Sequence, residues 1–600
     1  MSTQKAIRIG GASGYWGDSA EAPRQLVEKG DIDYLVFDYL AEVTMSILVR
    51  AKATDPDRGY AADFISLVMK PLLPQIKEKG IRVVVNAGGV NIAACAQALH
   101  EAAKEANISL KIGTVEGDDL LPRMEELRKD KICEMFSGKP LPQTLASANA
   151  YLGAFPIAAA LDAGAEVVIT GRCVDSAVTL GPLIHEFGWQ ADEFDKLAAG
   201  SMAGHIIECG AQATGGNFTD WQDVADGWDD VGYPIAECYR DGDFTITKPE
   251  GTGGCVTRLS VGEQVLYETG DPQAYIMPDV ICDYSAMTLT QTSPDQVLVS
   301  GVRGTAPTDS YKVSATYRDG YRATALTVIT GFDAVAKAET YALALFKRVR
   351  RLLGERGLAD FDQTAFHVIG AETLWGENKS KAANQAREVV LQTDVRHPDK
   401  AGIELFSKET TGVGLSMATG RCTAGAAGRP KATPVVAQFA FLINKFRLNP
   451  LVLVDGQNIS FTQPDVAFQP LPAPSSGPVV TVSDGPTQER LLIDLAVARS
   501  GDKGNLANIG IMARHPDLYE VICRQVTPER VAKWFKHVCK GEVRAFPVPG
   551  ICALNFVLTE TLDGGGTSSL HLDKLAKTYS QQLLAMPVQV PVTMNKTDDE

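Results

Sequence analysis

The sequence reads Ile9-Gly-Gly-Ala-Ser-Gly-Tyr-Trp-Gly-Asp-Ser19 where a short apolar segment gives way to a stretch of helical composition. Glycine lets backbone N–H groups approach an anion closely, and the N-terminus of a following helix favours a phosphate or carboxylate there. The glycine spacing matches neither the dinucleotide-binding fingerprint nor the lysine-containing phosphate loop, so it specifies no nucleotide. The stretch predicts a strand, a turn and a helix, with or without a ligand in the turn. The candidate ligand-binding residues are Gly11, Ser13, Gly14, Tyr15 and Asp18.

Short β-rich runs alternate with helical stretches through the first 190 residues. This alternation predicts an α/β domain with a mostly parallel sheet covered on both faces, and a Rossmann-like sheet and a barrel both fit it. The predicted strands are Ala6–Ile9, Tyr34–Phe37, Val83–Val85, Ser109–Ile112 and Val167–Thr170. The predicted helices are Ala20–Glu28, Ala41–Lys52, Ala61–Lys77 and Ile92–Glu105. We take the Rossmann-like arrangement as the prediction for this domain.

Polar residues follow the predicted strands at the points where ligands gather in such sheets. The loops concerned are Gly10–Asp18, Asp38–Glu42, Asn86–Asn91 and Gly171–Asp175. We therefore expect these loops to meet at one rim of the sheet. Arg172 is a candidate clamp for a carboxylate or phosphate, and Asp175 is either a base or a helix cap. Asp38, Glu42 and Asp175 are the candidate acid/base groups of this rim, with Asn86 as a binding residue.

A histidine and a carboxylate occur together in Gly204-His-Ile-Ile-Glu-Cys-Gly210. In a continuous helix His205, Glu208 and Cys209 share one face. They are read as a general acid/base pair, as part of a metal site, or as an interior histidine with its hydrogen-bond partner. Because the segment lacks the zinc-binding HExxH pattern and no further ligand is identifiable, no metal is predicted.

Glycine-rich loops with cations recur in the second half of the chain. Lys248-Pro-Glu-Gly-Thr-Gly-Gly254 contributes the candidate anion-binding residues Lys248, Gly251, Thr252 and Gly253. Ala498-Arg-Ser-Gly-Asp-Lys-Gly-Asn505 contributes Arg499 and Lys503, and it is predicted to end a strand and begin a helix. Gly564-Gly-Gly-Thr-Ser-Ser569 is predicted to precede another helix. Each of these loops is equally compatible with a plain turn or a helix cap.

Changes of composition along the chain predict the domain boundaries. Residues 1–210 form the α/β domain, and residues 211–461 form an α+β domain with strands at Tyr311–Tyr317 and Arg322–Ile329. A proline-rich linker follows at 462–489. Residues 490–591 are predicted to form a small ferredoxin-like α+β domain with a strand at Leu491–Ala498 and a hairpin through Pro547–Gly550, and residues 592–600 form a tail.

Composition and charge limit the partners. The formal net charge of -16 argues against nucleic acid or an anionic membrane surface as a partner. Eleven cysteines without a CxxC pair are typical of reduced cytosolic thiols, and the longest uncharged apolar run is too short to span a bilayer. We therefore expect a cytoplasmic protein, and a homo-oligomer because most cytosolic enzymes are oligomeric.

Six segments occur in the order Gly10-Gly-Ala-Ser-Gly-Tyr-Trp-Gly-Asp18, Asp38-Tyr-Leu-Ala-Glu-Val-Thr-Met45, Asn86-Ala-Gly-Gly89, Thr170-Gly-Arg-Cys-Val-Asp175, Gly204-His-Ile-Ile-Glu-Cys-Gly-Ala-Gln212 and Lys248-Pro-Glu-Gly-Thr-Gly-Gly254. Together they resemble the acyclic terpene utilisation (AtuA) family over almost the whole chain. Arg499-Ser-Gly-Asp-Lys-Gly504 is similar to the ferredoxin-fold domain that some members carry. The resemblance implies catabolism of citronellol, geraniol and related branched acids as coenzyme A thioesters, and it assigns no catalytic residue.

The leading hypothesis is an enzyme that acts on a branched acyl-CoA by acid/base chemistry, as a hydratase or a lyase. Its candidate acid/base groups are Asp38, Glu42, Asp175, His205 and Glu208. Coenzyme A is then part of the substrate, and no cofactor is expected. One alternative is a CoA transferase or acyl transfer enzyme in which Glu42 or Glu208 forms a covalent intermediate. A second alternative is a non-catalytic protein that binds acyl-CoA or serves as a scaffold.

Overall fold

An eleven-stranded mixed sheet forms the centre of the computed structural model, which describes residues 6–423, 428–470, 472–475, 477 and 486–592. The strands are β1 Ile7–Gly11, β2 Tyr34–Phe37, β3 Arg82–Val85, β4 Ile112–Glu116, β5 Ser147–Ala150, β6 Val167–Thr170, β7 Ile235–Cys238, β8 Phe244–Thr247, β9 Tyr275–Ile276, β10 Ile281–Asp283, β11 Thr288–Ser293, β12 Gln296–Ser300, β13 Arg303–Thr305, β14 Ser310–Thr330, β15 Gln363–Ile369, β16 Glu388–His397, β17 Arg421–Thr423, β18 Thr433–Asn444, β19 Leu451–Val454, β20 Gln457–Ile459, β21 Thr487–Leu491, β22 Ala496–Lys503, β23 Leu506–Ala513, β24 Val543–Val548, β25 Ala553–Leu558 and β26 Pro587–Pro591.

The α-helices are α1 Glu21–Lys29, α2 Glu42–Thr54, α3 Lys70–Lys79, α4 Ile92–Glu105, α5 Met124–Lys129, α6 Phe155–Asp162, α7 Ala177–Phe187, α8 Phe194–Ile207, α9 Arg258–Val265, α10 Ala334–Glu355, α11 Lys400–Gly412, α12 Tyr519–Gln525, α13 Pro528–Trp534 and α14 Tyr579–Leu584. A π-helical turn at Phe64–Met69 leads directly into α3. Among the residues that the structure describes, no helix combines the length and the apolar composition needed to span a bilayer.

The central sheet has the order β11-β12-β8-β7-β1-β2-β3-β6-β4-β19-β20. Strands β1, β2, β3, β6 and β4 are parallel, and the flanking strands pair antiparallel. Side chains alternate between the faces, as the strand period of two requires. Tyr34 and Val36 pack with helices α6 to α8, whereas Leu35 and Phe37 pack with α1, α3 and α4. The predicted α/β class is confirmed as a mixed α/β fold with several sheets.

The domain boundary at residue 210 stays a prediction. The central sheet takes strands from both sides of it, because β7, β8, β11, β12, β19 and β20 lie beyond residue 210. Strands β2 and β6 and helix α4 have the predicted bounds. The predicted strand Ser109–Ile112 is wrong in position, since β4 begins at Ile112. The preceding residues close helix α4 instead, with Asn107 left-handed at φ 55° and the Ile108 N–H bonded to the Ala103 carbonyl.

A second sheet is organised around β14, a strand of 21 residues. Its order is β15-β16-β14-β17, with β18 and β5 also paired to β14. The strands predicted at Tyr311–Tyr317 and Arg322–Ile329 are parts of this one strand, which is irregular in register between Arg318 and Tyr321. Helices α10 and α11 cover one face of the sheet. Because β5 comes from the first part of the chain, its pairing joins this sheet to the central one.

The C-terminal unit contains a four-stranded antiparallel sheet in the order β22-β23-β25-β24. The predicted hairpin through Pro547–Gly550 is confirmed as β24 and β25. The helix predicted to begin within Ala498–Asn505 is wrong, because β22 turns at Gly504 (φ 63°) directly into β23. The strand predicted at Leu491–Ala498 is divided by a single 3-10 turn at Leu492–Asp494. The Gly564–Ser569 loop does not open a helix, because α14 begins only at Tyr579.

Buried polar contacts join the C-terminal unit to the rest of the molecule. Asn508 accepts a hydrogen bond from the Glu268 N–H and donates to the Leu266 carbonyl. Arg514 makes a two-pronged ion pair with Asp220 at 2.6 and 2.7 Å. Paired, fork-like contacts of this kind fix orientation as well as adding energy. The hairpin β22–β23 is thereby held against the segment around Glu268.

Candidate functional site

Two loops meet where the central sheet changes its direction of winding. The chain leaves β3 for α4 on one face, but it leaves the neighbouring strand β6 for α7 on the other face. The loops after these strands touch, since the Gly88 N–H donates to the Thr170 carbonyl at 3.1 Å. Open α/β sheets bind ligands at such a change of winding, outside the carboxyl ends of the strands.

The glycine-rich loop after β1 packs against the C-terminal end of α8. A Cβ on Gly11 would overlap the Ile207 carbonyl, and a Cβ on Gly14 would lie 2.9 Å from Cys209 Cα. The N–H of Gly14 donates to the Asp18 carboxylate at 2.9 Å, so the loop satisfies this donor internally. These glycines thus have a packing reason to be glycines, and anion binding by the loop stays a prediction. Tyr15 is exposed, and Ser13 is buried beside the next loop.

Asp38 is buried directly after β2, where the Ser13 carbonyl accepts its N–H. Its carboxylate accepts a hydrogen bond from the Asn86 side-chain amide, whose own oxygen accepts the Tyr39 N–H at 2.7 Å. Burial raises the pKa of Asp38 well above its usual range, and the nearby carboxylates of Asp175 and Glu208 raise it further. Asp38 therefore holds a proton under conditions where an exposed aspartate is ionised.

Arg172 is a buried cation in the loop after β6, with 3% of its surface exposed. Its guanidinium donates to Asp175 at 2.8 Å and lies 4.1 Å from the centre of the Tyr151 ring. Its backbone N–H donates to Asp118 at 2.9 Å. Arg172 is thus fixed by an ion pair, a stacked ring and its own backbone, and its role as an anion clamp stays a prediction.

A second cation reaches this region from the long strand β14. Because β5 pairs with β14, the Tyr151 N–H donates to the Lys312 carbonyl at 2.9 Å. The Lys312 ammonium lies 5.1 Å from the centre of the Tyr151 ring, and the Tyr151 hydroxyl donates to Glu42 at 2.8 Å. Burial acts to raise the pKa of Glu42, but Lys312 and Arg172 outweigh it and lower the pKa to about 2. Glu42 is therefore a fixed negative charge.

His205 and Glu208 lie at the end of α8, where the helical spacing brings them together as predicted. His205 Nε2 faces the Val265 carbonyl at 3.2 Å, and an acceptor there requires a proton on this nitrogen. His205 Nδ1 lies 3.2 Å from Glu208 and 3.5 Å from the Tyr275 hydroxyl. Burial raises the pKa of Glu208. Within the part of the chain that the structure describes, no three His, Cys, Asp or Glu side chains are grouped to hold a metal ion.

The C-terminal unit contributes lysines to the same region. Lys503, at the tip of the β22–β23 hairpin, pairs with Glu268 at 3.0 Å, and Lys577 pairs with the other Glu268 oxygen at 2.7 Å. Burial lowers the pKa of Lys503, but Glu268 and Asp175 outweigh it and raise the pKa well above its usual value. The Lys503 side chain is still 48% exposed. A permanently charged and accessible ammonium thus borders the carboxylates of the first part of the chain.

These residues form one electrostatic unit, which we call the charged cluster. It comprises Asp38, Glu42, Arg172, Asp175, Glu208, Lys312 and Lys503. The pKa values of two of its carboxyl groups are shifted in opposite directions: that of Asp38 is raised and that of Glu42 is lowered. Environments that separate the pKa values of neighbouring carboxyl groups assign them different roles in proton transfer.

Comparison with known families identifies the chain. Residues 7–454 match the model of the acyclic terpene utilisation family protein AtuA. The chain belongs to this family. Residues 490–589 match the AtuA ferredoxin-like domain, so the predicted C-terminal domain is confirmed. No curated protein and no solved structure matches the chain.

Some predicted site residues of this AtuA-family protein lie outside the charged cluster. Lys248 donates to the Thr252 carbonyl at 2.8 Å and pairs with Asp295 at 3.1 Å. The neighbouring Gly251 and Gly253 belong to the same turn, and a Cβ on Gly253 would overlap the backbone of Gly227. Arg499 donates to the Asn217 carbonyl at 2.6 Å and stacks 5.1 Å from the Tyr267 ring. Anion binding by these residues stays a prediction.

Several residues in or next to the charged cluster were not predicted from the sequence. They are Tyr151, Lys312, Glu268, Tyr275 and Lys577. Lys312 lies between the buried Tyr311 and Val313, so the strand pattern shows that it faces the opposite side of the sheet. The pattern does not show which strand pairs there. Tyr151, Glu268 and Lys577 lie in short connections or turns without a motif, and Tyr275 lies in the two-residue strand β9.

Asp118 positions Arg172 and yields a test of pH dependence. Burial raises the pKa of Asp118 to about 6, whereas an unfolded aspartate titrates near pH 4. The folded state binds this proton more tightly, so its stability falls as the pH rises from about 4 to about 6. This decrease in the free energy of unfolding amounts to about 2 to 3 kcal/mol, and we expect it to be absent in Asp118→Asn. Urea unfolding of both proteins at pH 4.5 and 7.5 measures it, and parallel changes in the two proteins would contradict the assignment.

Proposed function

We propose that this AtuA-family protein is an enzyme of acyclic terpene or related branched-acid catabolism that acts on a branched acyl-CoA. The proposed chemistry is proton transfer next to the thioester, as in a hydratase or a lyase. Family membership supports the pathway, and the charged cluster supports the chemistry. The site lies at a change of winding direction between strands with helices on opposite faces, which supports a Rossmann-like arrangement of the N-terminal domain.

The observation that carries the proposal is the contrast between two carboxyl groups of one cluster. Asp38 is buried with the neutral amide of Asn86 as its partner, whereas Glu42 is bonded to Tyr151 beside the ammonium of Lys312. Burial raises the pKa of Asp38 and keeps its proton available, whereas Lys312 and Arg172 keep Glu42 ionised. Removing a proton next to a thioester requires a base, and expelling a hydroxyl or a carbon leaving group requires an acid. Asp38 supplies a proton, and ionised Glu42 holds the cations around it in place.

The remaining groups have roles consistent with this chemistry. Arg172 and Lys503 are cations placed to stabilise an enolate oxygen or a substrate carboxylate. His205 Nδ1 and Glu208 form a second proton-carrying pair, because they lie 3.2 Å apart with the other imidazole nitrogen occupied by Val265. Asp175 stays next to Arg172 and orients it. The proposed acid Asp38 thus follows strand β2, whereas the second pair lies at the end of helix α8.

One observation favours acyl transfer as a second candidate. Glu208 Oε2 is buried and has no hydrogen-bond partner in the described structure, whereas Glu42 is held by Tyr151. A carboxylate oxygen that is free to attack a thioester forms an acyl-enzyme anhydride and releases coenzyme A thiolate. This candidate predicts a covalent adduct at Glu208 and no change in the hydration of the acyl group.

The test is mass spectrometry of the full-length protein incubated with branched acyl-CoA thioesters, including isohexenylglutaconyl-CoA and its hydrated form. We expect a gain or loss of water, or cleavage of the acyl chain, in one substrate and no change in a linear acyl-CoA of equal length. Release of free coenzyme A with an adduct on Glu208 would replace this proposal with acyl transfer. Saturable binding without a product across the panel would favour a scaffold protein.

A further inference from the structure

A group of cations lies where the second sheet faces the C-terminal unit, outside the charged cluster. Arg322 of β14 and Arg396 of β16 are cross-strand partners, so their side chains leave the same face of the sheet. The Arg322 guanidinium lies 3.5 Å from the Thr567 carbonyl of the C-terminal unit. Lys574 is close enough to Arg322 and Asp394 to interact with both. We call Arg322, Arg396, Lys574 and Thr567 the basic seam.

Some donors of the basic seam have no partner. Arg396 is 8% exposed and its terminal nitrogens donate to Gln363 and Asp319, but its Nε is buried with no partner among the described residues. Thr567 Oγ1 is also buried and has no hydrogen-bond partner among the described residues. The Lys574 ammonium makes no hydrogen bond or ion pair with any residue that the structure describes. Buried donors without partners are rare in folded proteins and call for a missing acceptor.

Carboxylates only partly balance these charges. Asp394 accepts hydrogen bonds from Thr324 at 2.5 Å and from Gln392 at 2.8 Å, so both of its oxygens are occupied by neutral donors. Asp319 pairs with Arg396 at 2.5 Å and is 46% exposed. Like charges directly opposite one another on a sheet are destabilising. The pairing of Arg322 with Arg396 therefore favours binding of an anion next to both side chains. Burial lowers the pKa of both Arg322 and Lys574.

The basic seam and the charged cluster border the same stretch of the C-terminal unit. Lys574 of the seam is three residues before Lys577, which pairs with Glu268 beside Lys503. A Cβ on Gly565, in the loop that contains Thr567, would lie 3.0 Å from the carbonyl of Gly504, next to Lys503. Three residues span at most about 11 Å of extended chain, so a single elongated ligand can contact both groups.

We propose that the basic seam binds phosphate groups, and specifically those of the coenzyme A part of the substrate. This inference rests on the proposed function, which places the acyl group at the charged cluster. Arg322 and Arg396 donate to phosphate oxygens through their planar guanidinium groups, and Lys574 and Thr567 donate from the facing loop. The C-terminal domain thereby supplies one wall of the site for the nucleotide end of the substrate.

The test is calorimetric titration of the full-length protein with coenzyme A, ATP and pantetheine. We expect coenzyme A to bind, and its affinity to fall about tenfold in Lys574→Met and in Arg322→Met, the loss of one charge-assisted hydrogen bond each. Lys574→Arg keeps the charge and should bind as the unchanged protein does. Pantetheine lacks phosphates, so its weaker binding should be the same in all variants. Lys347→Met, an exposed lysine on α10, is the matched control.

Each outcome decides the inference. Equal coenzyme A affinity in Lys574→Met, Arg322→Met and the control would overturn the proposal that the basic seam binds phosphate. A failure of coenzyme A to bind the unchanged protein would overturn it as well. ATP binding as tightly as coenzyme A overturns the assignment to coenzyme A. Seam-dependent binding of coenzyme A without turnover of any acyl-CoA would refute the proposed function and leave the seam standing. Thermal melting of each variant shows whether a loss of binding comes from unfolding.

Discussion

Replacement of Asp38 by asparagine is expected to lower turnover of the acyl-CoA substrate by about 10²- to 10⁴-fold, the usual contribution of a positioned acid or base. Asparagine keeps the size of the side chain and an oxygen that can accept the hydrogen bond from Asn86. It removes the proton that burial and the neighbouring carboxylates keep on Asp38. The fold should therefore survive while the chemical step fails, with the binding of coenzyme A unchanged.

The pH profile separates this role from a structural one. A general acid must be protonated, so kcat of the unchanged protein should fall as the pH rises through the raised pKa of Asp38. The small residual activity of Asp38→Asn should lack this decrease. Asp162→Asn, at an exposed aspartate paired with His185, should show the full rate and the full pH profile. Normal turnover in Asp38→Asn would exclude Asp38 as the acid.

The local parts of the fold were predictable from the sequence. Strands β2 and β6 and helix α4 show strong apolar periodicity, and their bounds follow from it. The meeting of the loops after β2, β3 and β6 at one rim follows from parallel pairing. The hairpin that turns at Gly504 was not predicted, because a glycine between polar residues is equally typical of a helix start. The packing of strand β23 on Leu266 decides between a hairpin and a helix, and this contact is distant in sequence.

The electrostatics of the site could not be predicted from the sequence. Glu42 owes its charge to Lys312, which is 270 residues away in the chain and arrives through the pairing of β5 with β14. Lys503 reaches the cluster because the hairpin is held by Asn508 and Arg514. Such contacts depend on strand pairing and domain docking, and no motif in either partner records them. The glycines of the opening loop were interpreted from their freedom of conformation, whereas Gly11 and Gly14 also permit close packing on α8.

Replacement of Arg172 by glutamine is expected to lower the free energy of unfolding at pH 7 by about 3 to 5 kcal/mol, the range for breaking a buried ion pair. Arg172 is 3% exposed and compensates the charges of Asp175 and Glu42. Glutamine cannot replace that charge, so these carboxyl groups are left buried with less compensation. Arg303→Gln, which breaks an exposed pair with Asp195, is the control and should cost less than about 1 kcal/mol.

The pH dependence of this loss tests its electrostatic origin. Without Arg172 the pKa values of Asp38 and Glu42 should rise, because Arg172 lowers both. When a carboxyl group has a higher pKa in the folded state than in the unfolded state, the folded protein loses stability as the pH rises. The difference in the free energy of unfolding between Arg172→Gln and the unchanged protein should therefore shrink towards pH 5. Urea unfolding at pH 5, 6 and 7 measures the difference. A loss that stays constant over this range would mean that Arg172 stabilises the fold by packing on Tyr151 alone, and the charged cluster would then lack its central cation.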